Sequence, residues 1–248
     1  MEIRADNFMK KDHLFIIILL TAVLYGCASA RIRHPTKPFY FFQMADTQFG
    51  MFTDNKGFTK ETINFEKAIA AANRLHPAFV IICGDLVNRP GDPAQIAEYK
   101  RIAAALDPSI PLYNVPGNHD VGNIPTKEAL DAYRKNFGAD YYSFQYGNLY
   151  GIVLNSSLFF DPSLAPEEAG KQDAWLRSTL EKAKKQKYTH IVVFEHIPWF
   201  SNQPNEENGY FNIPSERRKV YIDLLQQYGV AYVFAGHLHK NALGNYGN

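Results

Sequence analysis

The sequence predicts an α/β fold, and three observations carry that prediction. Short apolar, β-branched runs alternate with longer segments of helical character along most of the chain. Those helical segments open and close with capping residues and Pro or Gly stops. The apolar runs end, one after another, in Asp, Asn or His, where an open α/β sheet places its ligands beyond the carboxyl ends of the strands.

In chain order, residues 39–45 form a strand-length apolar run followed by Asp46-Thr47-Gln48. A helix is expected over residues 60–75, with Ile63, Ala70 and Leu75 as apolar positions and Pro77 as its stop. Residues 79–83 form a second strand, followed by Gly84-Asp85. Asp92 with Pro93 opens a helix toward Leu106. Residues 112–115 lead into Pro116-Gly117-Asn118-His119-Asp120. Thr126 caps a helix that runs to Phe137 and stops at Gly138. Residues 141–146 and 149–154 flank Gly147-Asn148, a two-residue hairpin signal, and the second strand ends at Asn155-Ser156. A helix over residues 172–187 carries Trp175, Leu176 and Leu180 on one face; its basic run at 182–187 reads as a solvated surface. Residues 191–194 end at Glu195-His196. Ser215 caps a helix through Tyr228, and residues 231–235 end at Gly236-His237-Leu238-His239.

Composition narrows the function. Hydrophobic residues make up 46% and charged residues 21% of the 248-residue chain, enough apolar surface for a large core. The formal net charge is +1, so bulk charge gives no reason to expect a nucleic-acid partner. Two cysteines, Cys27 and Cys83, exclude a disulfide framework and a cysteine-based zinc site. Cys83 lies inside an apolar strand and reads as a buried thiol.

The N-terminus reads as an address. Lys10 and Lys11 precede an apolar run over residues 14–24, shorter than the ~20 residues that span a bilayer. Leu24-Tyr25-Gly26-Cys27 resembles a bacterial lipobox, in which the cysteine is lipidated. This gives a lipoprotein-type signal peptide over 1–26, a basic, Pro-containing tether over 27–38 and a domain over 39–248. The chain is then exported and anchored by a lipid on Cys27 at the membrane, in the periplasm or at the cell surface. A plain secretory signal and an uncleaved membrane anchor are the alternatives.

The polar strand ends carry the chemistry. Asp46 and Gln48 lie two apart in an extended segment and face one side. Gly117 permits a close turn, Asn118 offers a carbonyl oxygen, and His119 beside Asp120 suggests an oriented imidazole for proton transfer. His237 and His239 lie at i and i+2. Oxygen mixed with nitrogen suits Mn, Fe or Zn better than Ca. Trp199, Phe200, Tyr210 and Phe211 flank a polar stretch over 201–209 just after His196. They read either as loop anchors or as a substrate-facing rim.

Taken in order, Asp46-x-Gln48, Gly84-Asp85, Gly117-Asn118-His119-Asp120, His196 and Gly236-His237-x-His239 resemble the calcineurin-like metallophosphoesterase family. That family's motifs run D-x-H, GD, GNH(D/E), H and GHxH. Gln48 departs from the His of the first motif. The D-x-Q opening is similar to the branch of calcineurin-like phosphoesterase-domain protein phosphatases that act on phosphoserine and phosphothreonine. The resemblance implies a four-layer αββα sandwich. In this family strands commonly follow the last motif, and here the sequence ends at residue 248, so a sheet short of its closing strands is one expectation.

It also implies two metal ions, Mn, Fe or Zn. The first is held by Asp46, Gln48, Asp85 and His239, the second by Asp85, Asn118, His196 and His237. His119 then contacts the phosphate or protonates the leaving oxygen, with Asp120 fixing its tautomer. The implied activity is hydrolysis of a phosphate ester by in-line attack of a metal-bound hydroxide, with a phosphomonoester favoured. A phosphodiesterase of the same fold, or a weakly catalytic metal-binding lipoprotein serving as a binding module, are the alternatives.

Overall fold

The strand Val80–Cys83 (β2) shows how the layers arise. The computed structural model of the protein describes residues 37–247. The expected signal peptide, Cys27 and all but the end of the tether lie outside them. Every residue of β2 is buried. Ile81 and Cys83 pack with Phe79 against the second sheet, while Val80 and Ile82 face helices. This is the period-two alternation of a strand covered on both faces. β2 is central in a three-stranded parallel sheet, between β1 (Phe42–Met44) and β3 (Leu112–Val115). The second sheet has the order β4 (Tyr142–Tyr146), β5 (Leu149–Val153), β6 (His190–Phe194) and β7 (Val230–Phe234). The expected hairpin forms across Gly147-Asn148 as an antiparallel β4–β5 pair, and β5, β6 and β7 run parallel.

Three apolar clusters glue four layers together. Phe79, Ile81, Cys83 and Val115 meet Phe144, Val153, Val192 and Phe194 between the sheets. On the outer face of the first sheet lie α1 (Thr59–Leu75), α2 (Pro93–Ala103) and α4 (Lys127–Phe137). On the outer face of the second lie α6 (Pro166–Lys185) and α7 (Ser215–Gln227). The expected αββα arrangement is therefore present. Asp92 caps α2 through the amides of Ala94 and Gln95, and Thr126 caps α4 through Ala129.

Several local expectations need correction. Ile63 and Leu75 of α1 are exposed; the buried stripe is Phe65, Ile69 and Ala72, spaced four and three apart. α6 begins at Pro166, six residues before the expected start, because Pro at the first helical position and Glu167 and Glu168 in the first turn favour an earlier opening. α7 is preceded by Pro214; Ser215 lies inside the helix, its backbone amide donating to Asn208. Two one-turn helices, α3 (Asn118–Val121) and α5 (Ser157–Phe160), and a 3-10 turn at Met51–Thr53 carried no periodicity to find. Among the described residues no helix is long and apolar enough to cross a membrane.

Candidate metal centre

The carboxyl ends of β1, β2, β3, β6 and β7 deliver Asp46, Asp85, Asn118, His196 and His237 to one place. Backbone hydrogen bonds tie these loops together: Asp46 donates to the Gly84 carbonyl at 3.0 Å and Gln48 to the Asp85 carbonyl at 2.8 Å. The turns are sharp. Asp46, Gln48, Asp85, His237 and His239 all adopt positive φ, between 38° and 72°. Such conformations cost energy in non-glycine residues and concentrate where geometry serves a site. Gly117 is required by packing: a Cβ there would meet the Asp85 amide nitrogen at 2.1 Å and its carboxylate at 2.2 Å.

Donor atoms converge on Asp85, which is 1% exposed. Ligand atoms of Asp85, His196 and His237 all lie within 4.8 Å of one another. His196 Nε2 is 3.1 Å from Asp85 Oδ2 and 2.9 Å from Asn118 Oδ1. On the other side His239 Nε2 is 3.2 Å from Asp46 Oδ1. Two further ring nitrogens have backbone partners, Cys83 O for His196 Nδ1 at 2.8 Å and Tyr210 O for His237 Nε2 at 2.9 Å. Carbonyl oxygens can only accept, so those nitrogens carry hydrogen. Nε2 of His196 and Nδ1 of His237 are thereby left as ligand atoms.

Gln48 adds an independent sign. It is 4% exposed, and its Oε1 has no hydrogen-bond partner among the described residues. A buried acceptor left unpaired costs roughly 1–3 kcal/mol, so such an oxygen calls for a ligand. Two carboxylates, two amide oxygens and three imidazoles fit a hard-to-borderline divalent cation.

The electrostatics agree. Burial alone would raise the Asp85 carboxyl, yet the His196 imidazole and the His119 amide hold it below the usual carboxylate range. Burial raises Asp46, with Asp85 adding to it. Burial opposes charge on His196, but Asp85 and Asp46 push it up to about 9. Burial and the neighbouring His196 bring His237 down to about 4. Without a cation these carboxylates favour the protonated form of His196 beside Asp85, and a metal ion would take that proton's place.

The expectation for Asp120 needs correction. Its carboxylate accepts from the backbone amides of Leu86, Val87 and Gly117 and joins two site loops. It does not orient His119. The ring is instead held by the Asn88 carbonyl, 2.9 Å from His119 Nδ1. The aromatic rim also divides. Trp199 is buried in the core, whereas Tyr210 and Phe211 are about half exposed, with ring centroids 4.7 and 5.4 Å from His237.

The positioning role of Ser156 was not legible in the sequence: its Oγ accepts from the backbone amides of His196 and Ile197 and fixes that loop. Tyr210, one of the aromatics of the expected rim, is also a positioning residue, its Oη accepting from the side-chain amide of Asn118. No spacing rule marks either contact, since each joins loops far apart in the chain.

Comparison with known proteins gives concordant results. The calcineurin-like phosphoesterase family model matches residues 39–241. The serine/threonine-protein phosphatase CPPED1 of Bos taurus is 39% identical over 236 residues, covering 89% of this chain and 75% of the relative. That of Homo sapiens is 40% identical over 227 residues, covering 85% and 72%. Among solved structures, a purple acid phosphatase from yellow lupin (Lupinus luteus) superposes with a TM-score of 0.62 at 16% identity, covering 81% of this chain and 38% of that one. A dimetal phosphatase from Danio rerio gives 0.57 at 15% identity, covering 81% and 82%. At these identities the two structures speak for the fold.

Proposed function

The chain belongs to the calcineurin-like phosphoesterase family and is a phosphoester hydrolase, and from that premise we propose that it is a two-metal phosphomonoesterase acting on phosphoserine and phosphothreonine. The observation that carries the reading is the convergence of Asp85, Asn118 and His196 atoms within about hydrogen-bond distance, with Asp46, Gln48, His237 and His239 around them. Asp46, Gln48, Asp85 and His239 would hold one ion, and Asp85, Asn118, His196 and His237 the other. The mixed donor set suits Mn, Fe or Zn. Such an ion pair supplies Lewis acidity, neutralising phosphoryl charge and activating a water.

The chain's own residues do the rest. Asp85 balances the charge, and its Oδ1 fixes the His119 amide at 2.8 Å. His119, held at Nδ1–H by the Asn88 carbonyl, would act in its doubly protonated form, offering the second hydrogen on Nε2 to the leaving oxygen. Tyr210 and Phe211 give the rim an aromatic face for the group that bears the phosphate. The CPPED1 relatives' name supports a protein substrate. The test is a comparison of phosphoserine peptide, aryl phosphate and bis-aryl phosphate with the Mn²⁺-loaded protein. Monoesters should turn over faster; preference for the diester would overturn the assignment.

The same reading extends to location. The Lys10-Lys11 flank, the apolar run over 14–24 and Leu24-Tyr25-Gly26-Cys27 support export and lipid anchoring at Cys27. Cys27→Ser should move the protein from the membrane to the soluble fraction, as fractionation would show. Continued retention would favour an uncleaved anchor.

A further inference from the structure

The side-chain amides around Gln48 form a directed chain, and its direction can be deduced from one end. Gln95, 2% exposed in α2, accepts the backbone N–H groups of Asn88 at 3.0 Å and Arg89 at 2.9 Å on its Oε1. Backbone amides only donate, so this atom must be oxygen. Gln95 Nε2 therefore donates, at 2.9 Å, to Asn55 Oδ1. Asn55 Oδ1 also takes the Asn88 Nδ2 hydrogen at 2.9 Å. That turns Asn88 Oδ1 toward Gln48, whose Nε2 donates to it at 3.2 Å. Gln48 then has one orientation left, with Oε1 on the opposite side, buried and without a hydrogen-bond partner among the described residues.

The backbone accommodates the chain. Asn55 adopts φ 64°, and Gly50 at φ 106° leaves no room for a Cβ, which would meet Gln95 Nε2 at 2.7 Å and Asn55 Oδ1 at 2.9 Å.

We propose that Gln95, Asn55 and Asn88 are positioning residues that set the polarity of Gln48, so that it presents its carbonyl oxygen, and never its NH₂ group, to the first metal ion. The inference rests on the reading of Gln48 as a metal ligand. An amide is a usable ligand only through its oxygen, and a free Gln side chain would sample both orientations. The relay removes the wrong one. It also gives Asn88 two duties: its side chain aims Gln48 and its carbonyl aims His119.

Two isosteric substitutions separate this relay from simple electrostatics. Gln95→Glu keeps the acceptor for Asn88 and Arg89 but removes the donor to Asn55. Asn55 and Asn88 then turn over in sequence, and Gln48 is left with NH₂ toward the cation. Asn55→Asp remains an acceptor for both neighbours and keeps the relay's direction. Each adds one negative charge, so electrostatics alone would tighten cation binding in both.

The experiment is Mn²⁺ binding to the purified full chain, without substrate, by calorimetry and equilibrium dialysis. Gln95→Glu should weaken one binding event by roughly 10–100-fold, the usual effect of removing an outer-shell partner, and leave the other unchanged. Asn55→Asp should bind at least as tightly as wild type. Asn88→Leu, which breaks the relay without adding charge, should weaken the same event. Equal behaviour of Gln95→Glu and Asn55→Asp, or wild-type binding by Asn88→Leu, overturns the relay. Gln48→Leu distinguishes the two levels: if it leaves Mn²⁺ binding intact, Gln48 is no ligand and the proposal falls with that reading. If it weakens binding while the relay variants fail, the relay alone is wrong.

Discussion

His119 and Asp120 are adjacent in sequence and separate in role. His119 is half-buried, amide-anchored to Asp85 and ring-anchored to the Asn88 carbonyl. It completes neither proposed ligand set, so His119→Ala should leave metal content nearly intact while lowering kcat by roughly 10²–10⁴. The loss should be largest for phosphoserine and small for a nitrophenyl phosphate, whose leaving oxygen needs little protonation. Equal losses on both substrates would remove the acid role. Asp120 instead serves three backbone amides, so Asp120→Asn should act on folding: a lowered Tm, with activity falling alike for both leaving groups. The residue types at the site were legible because strand ends, order and chemistry coincide. Their partners were not. Asp120 beside His119 suggests a pair on paper, but the helical turn of α3 sends the carboxylate back toward β2.

Elements show the same division between pattern and packing. Strand positions followed from the apolar runs, of which β2, buried at every residue, is covered on both faces. The buried face of α1 did not, because apolar residues occur all around it and only contact with β2 and α2 selects Phe65, Ile69 and Ala72. Phe65→Ala should therefore cost about 3–5 kcal/mol in chemical denaturation, whereas Ile63→Ala should stay within about 0.5 kcal/mol. Comparable costs would mean that the sequence-derived face is the packed one.

The loop over 201–212 depends on a single acid. Partial burial would raise Glu206, but the amides of Ser201, Asn202 and Gln203 and the Asn212 side chain hold it down to about 2. Its folded value lies below the ordinary 4.5, so the stability it contributes is present above pH 4.5 and is lost as pH falls through 2. Glu206→Gln should flatten the acid limb of the Tm–pH curve across that window. An unchanged limb would place the titrating group elsewhere. The same loop carries Tyr210, whose carbonyl holds His237, so loosening it should also weaken metal binding at the second proposed position.

At the scale of the whole molecule, the site joins the two sheets. Asp46, Gln48, Asp85 and Asn118 follow strands of the first sheet; His196, His237 and His239 follow strands of the second. Between the sheets themselves the contact is apolar and non-directional, built from rings such as Phe41, Phe79, Phe144 and Phe194. Such packing resists separation but does little to fix one edge against the other. The polar links at the carboxyl ends supply the register: His196 Nδ1 to Cys83 O, and the His237 amide to the Asp46 carboxylate at 3.1–3.2 Å. A cation bound there would bridge the sheets and be absent from the unfolded chain, so its binding energy adds to folding. At a concentration 100 times its Kd, one ion contributes about 2.7 kcal/mol. Chelation should then lower Tm by several degrees, and Mn²⁺ should restore it in a concentration-dependent way. Protonated His196 competes with the ion, so the restoring effect should weaken as pH falls below about 9. Asp85→Ala removes the carboxylate shared by both proposed positions. It should abolish turnover and make Tm insensitive to chelator and to Mn²⁺ alike. A full Mn²⁺-induced rise in Tm without Asp85 would show that the ion binds elsewhere and that the two sheets meet without its help.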